Sequence, residues 1–394
     1  MESFEFLSVG RIVFERGGFA RIGELAAGLG GGAAMLVTNA GQAGDGGIVD
    51  RLAELLKAAG LRCATWRQRG EPTVDDVASA LGIAREQKCD VVIGLGGGSA
   101  IDAAKAVAGL LTNGGGPLDY MEVVGKGRKI TRQAAPWIAV PTTAGTGAEV
   151  TRNAVICSPE NHVKASIRGE QLLARVAAVD AELGVGVRPE VTAWAGMDAL
   201  CQLVESYTSA RARPMTDALA VEGLARTATA LPRAYADGTD VEAREEMAFA
   251  AMIGGITLTN AGLGAAHGFA SPIGANYPIP HGVVCGALLP HVMRANVHAL
   301  RQTDPQSYTL YRYAVVGRVL TGRADLRDDE VTDAGIRFVE DLAAKLDIPP
   351  LARFGLTEDA FGNLIALARK SSSMRYNPVE LSDKALTDVL RGAM

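Results

Sequence analysis

The sequence predicts an α/β nucleotide-binding N-terminal domain, a parallel sheet with helices on both faces, followed by an all-α C-terminal domain. Three observations carry this. Short β-rich runs alternate with amphipathic helical stretches as far as about residue 180. A glycine turn follows an apolar run near residue 94 and opens a helix. Beyond Pro189 strand signals nearly vanish, and long Ala/Leu-rich stretches follow one another. The expected boundary separates 1–185 from 186–394, in the segment Leu183-Gly184-Val185-Gly186-Val187-Arg188-Pro189.

The elements follow in order. Strands are expected at 35–38, 63–66, 91–93, 137–140 and 177–179. Between several of them lie amphipathic helices. Residues 48–60 place Leu52, Leu55 and Leu56 on one face; residues 74–88 do the same with Val77, Leu81 and Ile83. The run 90–94 is almost wholly apolar, as a strand buried on both faces must be. In the second half, helices are expected at 192–207, 216–235, 241–257 and 332–346.

Composition narrows the function. The chain has 394 residues, a formal net charge of −5 and 48% hydrophobic residues, so it is a folded, mildly acidic protein. That balance argues against a nucleic-acid partner bound by bulk positive charge. Five scattered cysteines without a C-x-x-C pair argue against a disulfide framework or a zinc knuckle. No secretory signal opens the sequence, and no stretch approaches the length of a membrane-spanning helix, so a cytoplasmic protein is expected. The 47 glycines suit tight turns and close backbone approach to a ligand.

Two loops carry that expectation. In the first, Gly96, Gly97 and Gly98 precede Ser99, with Asp102 three residues further on. Ser99 is expected to cap the helix, with Asp102 as its capping-box partner. The bare glycine backbone and the helix N-terminus then favour a pyrophosphate. The second loop, Pro141-Thr142-Thr143-Ala144-Gly145-Thr146-Gly147, follows another strand. Its hydroxyls suit phosphate, ribose or a nicotinamide amide, although an ordinary polar loop has the same composition. Ligands bind α/β sheets at such strand ends.

The helical half supplies possible metal ligands. Four of the five histidines lie between 267 and 298. Asp198 and Gln202 are four residues apart and share a helical face. Asp198, His267 and His281 are a donor set for a divalent transition metal. Spacing alone equally allows hydrogen-bonded core histidines.

Six segments together extend the reading. They are GGGSAIDAAK (96–105), PTTAGTGAEVT (141–151), GMDALCQLVE (196–205), GLGAAHGFASPIG (262–274), PHGVVCGALLPHVM (280–293) and SSSMRYNP (371–378). In this order they resemble the iron-containing (group III) alcohol dehydrogenase family, with its dehydroquinate synthase-like fold. The resemblance implies NAD or NADP, a divalent metal (Fe2+ or Zn2+), and reversible oxidation of a small alcohol to an aldehyde or ketone. It also implies a homodimer or larger homo-oligomer.

The family's metal ligands are an Asp and three His. Asp198, His267 and His281 match three; Gln202 stands at the remaining His position. Near the nicotinamide, Ser271 replaces another His, so a proton relay would run through Ser271, water or ribose hydroxyls. Gly97, Gly98 and Ser99 match the pyrophosphate loop, Thr142, Thr143 and Thr146 the second loop, and Lys164 a cofactor-proximal lysine. Asn39 replaces an Asp that contacts the adenosine ribose, which removes a charge that excludes NADP. The resemblance leaves three alternatives: a maleylacetate-reductase-like enzyme, a polyol- or glycerol-type dehydrogenase, and a nucleotide-binding pseudoenzyme with a weakened metal site.

Overall fold

Continuous apolar runs become the interior strands of a parallel sheet. The computed structural model describes residues 3–39 and 47–394. Among these the sheet comprises β1 (Ile12–Phe14), β2 (Ala33–Thr38), β3 (Arg62–Arg67), β4 (Val91–Gly96), β5 (Trp137–Pro141) and β8 (Val176–Val179). Its order is β1-β8-β5-β4-β2-β3, with every neighbouring pair parallel. Every residue of β2, β4, β5 and β8 is buried, as a sheet covered on both faces requires.

Five helices belong with this sheet: α1 (Ile22–Ala27), α2 (Ile48–Ala58), α3 (Val74–Glu86), α4 (Gly98–Asn113) and α5 (Pro117–Tyr120). Helix α2 brings Val49, Leu52 and Leu56 into one core with Leu36 and Ile93. Helix α4 is apolar almost all round and correspondingly buried. The sequence reading omits the short edge strand β1 and an antiparallel hairpin, β6 (Asn153–Ser158) with β7 (Val163–Arg168). Strand β6 alternates buried and half-buried positions, and the hairpin turns through His162 at φ 51°. That turn lacks the glycine that usually announces one.

Strand order locates the ligand crevice. From β2 the chain runs outward to β3, then returns to β4 on the other side of β2 and continues to β5. The order therefore reverses between β2 and β4, and ligands bind beyond the carboxyl ends of strands at such a point.

This α/β unit comprises Leu7–Thr143 and Gly147–Val185. The helical unit comprises Gly186–Met394, together with Ala144–Thr146 and the N-terminal stretch through Phe6. Its helices are α6 (Pro189–Thr208), α7 (Pro214–Ala236), α8 (Val241–Ala261), α9 (Ala265–Asn276), α10 (His281–Thr303), α11 (Tyr308–Thr321), α12 (Asp328–Lys345), α13 (Phe361–Ala368) and α14 (Asp383–Gly392). Met197, Leu203, Phe269, Val284 and Leu288 lie in their shared core.

Between α8 and α9 the chain bends by 101°. Gly262 makes the bend at φ 75°, and a Cβ there would stand 2.4 Å from the Tyr376 ring. One expectation is corrected here. Helix α10 does have the length and hydropathy of a membrane-crossing helix, but 67% of that window is buried within the protein. Its apolar residues serve the helical core.

Candidate active site

At the carboxyl ends of β2 and β4, the structure brings Asn39, Gly96, Gly97 and Thr143 together. Asn39 Oδ1 accepts a hydrogen bond from Gly97 N at 3.0 Å. Gly96 has φ 149°, and a Cβ on it would stand 2.1 Å from Asn39 Oδ1. Only glycine permits both the backbone angle and that approach. Thr142 N donates to Gly96 O at 2.9 Å, and Thr143 Oγ1 lies 3.3 Å from where a Gly97 Cβ would be.

The capping expectation is overturned. Gly97 is the N-cap of α4, and no side chain caps it. Ser99 lies inside the first turn. Asp102 turns away from the loop: its Oδ2 accepts from Val155 N at 3.0 Å and its Oδ1 from Lys105 Nζ at 3.3 Å. Lys105 is fully buried and also donates to Thr151 Oγ1 and Asn153 O. Asp102 and Lys105 therefore tie α4 to the hairpin, and no side chain covers the N–H groups of Gly98 and Ser99 at the helix start. Lys164 pairs with Glu71 at 3.5 Å. Thr146 belongs to the helical unit.

The second constellation lies within the helical unit. Helix α6 presents Asp198, Cys201, Gln202 and Glu205 at spacings of three and four residues, on one face. Helix α9 contributes His267, with Ser271 one turn later on the same face. Helix α10 contributes His281 and, one turn later, Cys285. Asp198 Oδ1 lies 3.2 Å from His267 Nε2 and 3.6 Å from His281 Nε2. Cys285 Sγ lies 3.6 Å from both of those nitrogens. Gln202 Nε2 donates to Asp198 Oδ2 at 3.1 Å.

Sequence reasoning misses Glu205, which stands seven residues after Asp198 on the same face. Its Oε2 lies 2.7 Å from His267 Nδ1, and its Oε1 accepts from Ala266 N at the start of α9 at 2.7 Å. One carboxylate thus fixes both the helix end and the imidazole. The closing motif also finds its role, because Asn377 Oδ1 accepts from Ala265 N at 3.1 Å.

Burial alone would push both imidazoles down. Around His281 the Cys285 sulfur and the Asp198 carboxylate outweigh it and raise the group to about 9. Around His267 the same sulfur, with Asp198 and Glu205, holds the ring well above the usual histidine range. Burial would raise Asp198, but the two histidines hold it below the ordinary carboxylate range. In the metal-free cluster, protons on the imidazoles balance the buried carboxylates, and a metal ion would have to displace them.

The residues fit a transition metal. Asp198, His267, His281 and Cys285 each offer a ligand atom, and these atoms all lie within 4.8 Å of one another. Glu205 on Nδ1 is the outer carboxylate that orients a metal-binding imidazole. His281 is 36% exposed against 2% for Asp198, so the cluster opens on the His281 side.

Both halves of the chain match one family. Residues 10–181 match the family described as iron-containing alcohol dehydrogenase, and residues 192–394 match its C-terminal domain family. This chain belongs to the iron-containing alcohol dehydrogenase family. It is an oxidoreductase acting on CH–OH groups. Choline dehydrogenase of Bacillus subtilis is 34% identical over 370 residues, covering 94% of this chain and 90% of that one. The crystal structure of a 1,3-propanediol oxidoreductase superposes with a TM-score of 0.92 at 32% identity, covering 100% of both chains. Sulfoacetaldehyde reductase from Bifidobacterium kashiwanohense, solved with NAD+, superposes with a TM-score of 0.85 at 27% identity, covering 100% of this chain and 99% of that one.

Proposed function

We propose that this alcohol dehydrogenase works as an NAD(P)H-dependent reductase of a small aldehyde, and in reverse as an NAD(P)+-dependent dehydrogenase of the corresponding primary alcohol, with Fe2+ or Zn2+ in the helical unit. The observation that carries the reading is the convergence of Asp198, His267 and His281 from three helices, with Glu205 behind His267. When bound, the metal supplies Lewis acidity at the substrate oxygen and the nicotinamide exchanges the hydride.

The chain's own residues do the rest. Backbone N–H groups of Gly98 and Ser99 take the pyrophosphate, with Thr142 and Thr143 beside it. Lys164, in the same unit, is a further cofactor contact. Asn39 spends its carbonyl oxygen on Gly97 N, so the neutral amide end remains to meet the ribose. With no carboxylate there, NADPH is accepted beside NADH. Ser271 carries the proton relay through its hydroxyl, which neither gains nor loses charge near neutral pH. We place the enzyme in the cytoplasm as a homodimer, to be checked by light scattering.

The relatives span an amino alcohol, a diol and a sulfonated aldehyde, so pocket shape sets the substrate. The test is oxidation of NADH and of NADPH against a panel of short aldehydes, including cationic and anionic members. Turnover with at least one uncharged aldehyde and both cofactors is expected. Turnover confined to an acidic substrate would favour the maleylacetate-type alternative.

A further inference from the structure

Gln202 stands at the family's remaining ligand position, yet its side chain is committed elsewhere. Its Nε2 donates to Asp198 Oδ2, whereas Asp198 Oδ1 is the oxygen beside the two histidines. Its Oε1 is buried without a hydrogen-bond partner, and it lies 3.0 Å from where a Gly254 Cβ on α8 would stand. The amide oxygen is therefore directed at α8.

A sulfur is available for the missing place. Cys285 Sγ is fully buried and 3.6 Å from the Nε2 atoms of both His267 and His281. Around a tetrahedral metal, with metal–sulfur bonds of about 2.3 Å and metal–nitrogen bonds of about 2.0–2.1 Å, adjacent sulfur and nitrogen donors stand roughly 3.5 Å apart. The observed spacing matches that edge. We propose that Cys285 is the fourth protein ligand of the metal, and that Gln202 is an outer partner holding Asp198 in orientation. The inference rests on the metal reading of the cluster given above.

Helix geometry supports the choice. Cys285 follows His281 by four residues, so both side chains leave the same face of α10. The other buried thiol, Cys201, lies 3.6 Å from His267 Nδ1, on the ring edge that Glu205 occupies. An ion on Nε2 is on the opposite edge. Loading the site breaks the Cys285 S–H bond and forms a sulfur–metal bond; the proton leaves to solvent and no oxidation state changes. A thiolate in place of imidazole favours Zn2+, Fe2+ and Co2+ over Mg2+ or Ca2+.

The test is Co2+ added to the metal-free full-length protein. A sulfur-to-cobalt charge-transfer band in the near ultraviolet is expected. Cys285→Ser should lose that band and bind Co2+ more than about 100-fold more weakly, beyond the roughly 10–100-fold cost of losing an outer partner. Gln202→Ala should keep the band and fall within that outer range, and Cys201→Ser should keep it too. Should Cys285→Ser fold poorly, X-ray absorption of the zinc-loaded native protein serves instead, with one sulfur expected at about 2.3 Å. Bound Co2+ without the band, a band that survives in Cys285→Ser, or zinc without a sulfur neighbour overturns the Cys285 assignment and leaves the metal site standing. Failure of Co2+, Zn2+ and Fe2+ to bind at all removes the metal reading itself.

Discussion

His267 is held at both ring nitrogens, with Asp198 and Cys285 at Nε2 and Glu205 at Nδ1. Glu205→Gln keeps the size of the group but weakens its grip on the imidazole and on the first turn of α9. Metal affinity should fall about 10–100-fold, as for other outer-shell losses, read by competition with a chromophoric chelator. A second residue-scale expectation concerns stability. Burial raises Glu149 to about 7, and the Lys105 charge only partly opposes it. The folded value lies above the unfolded one, so the stability linked to its protonated form is present at low pH and lost as pH rises through about 7. Glu149→Gln should therefore raise the thermal midpoint at about pH 9 by the equivalent of 1–3 kcal/mol, on the order of two pK units, and change it little at about pH 5. Equal shifts at both pH values would contradict the assignment.

At the scale of elements, two glycines hold the chain where side chains cannot go. Gly96→Ala places a Cβ on Asn39 Oδ1 at a backbone angle that L-residues avoid. NADH binding, followed by nucleotide fluorescence, should weaken about tenfold or more, roughly 1.4 kcal/mol. Gly262→Ala meets the Tyr376 ring at the α8–α9 bend. A loss of order 1–3 kcal/mol in urea unfolding is expected. The interior strands were legible because a strand covered on both faces shows continuous apolar residues, as Val91-Val92-Ile93 does. Helix α9 was harder to read. Its glycines and Pro272 argue against a helix by propensity, and it forms because Glu205 and Asn377 satisfy its first N–H groups from distant parts of the chain. The Ser99 cap failed for a related reason: the helix starts at Gly98, so a glycine takes the capping place and the loop backbone stays open. At the metal cluster, the shared face of Asp198 and Gln202 was visible in the spacing. Cys285 was not, because a cysteine one turn after a histidine reads as core until a third helix brings Asp198 beside it.

The whole molecule combines two parts of unlike construction. A parallel sheet presents glycine backbone and threonines at its switch point, and a helical unit gathers a buried carboxylate, a buried imidazole, a buried thiol and the half-exposed His281 around one point. Metal that binds only the folded form should stabilise it by about 2.7 kcal/mol at a hundredfold excess over Kd, seen as a higher thermal midpoint that chelation reverses. The most direct measurement is NADH oxidation in the presence of a short aldehyde, followed through chelation and re-addition of Fe2+ or Zn2+. Activity that disappears on chelation and returns with the metal is the predicted result. Turnover that survives complete removal of metal would contradict the role given to Asp198, His267 and His281.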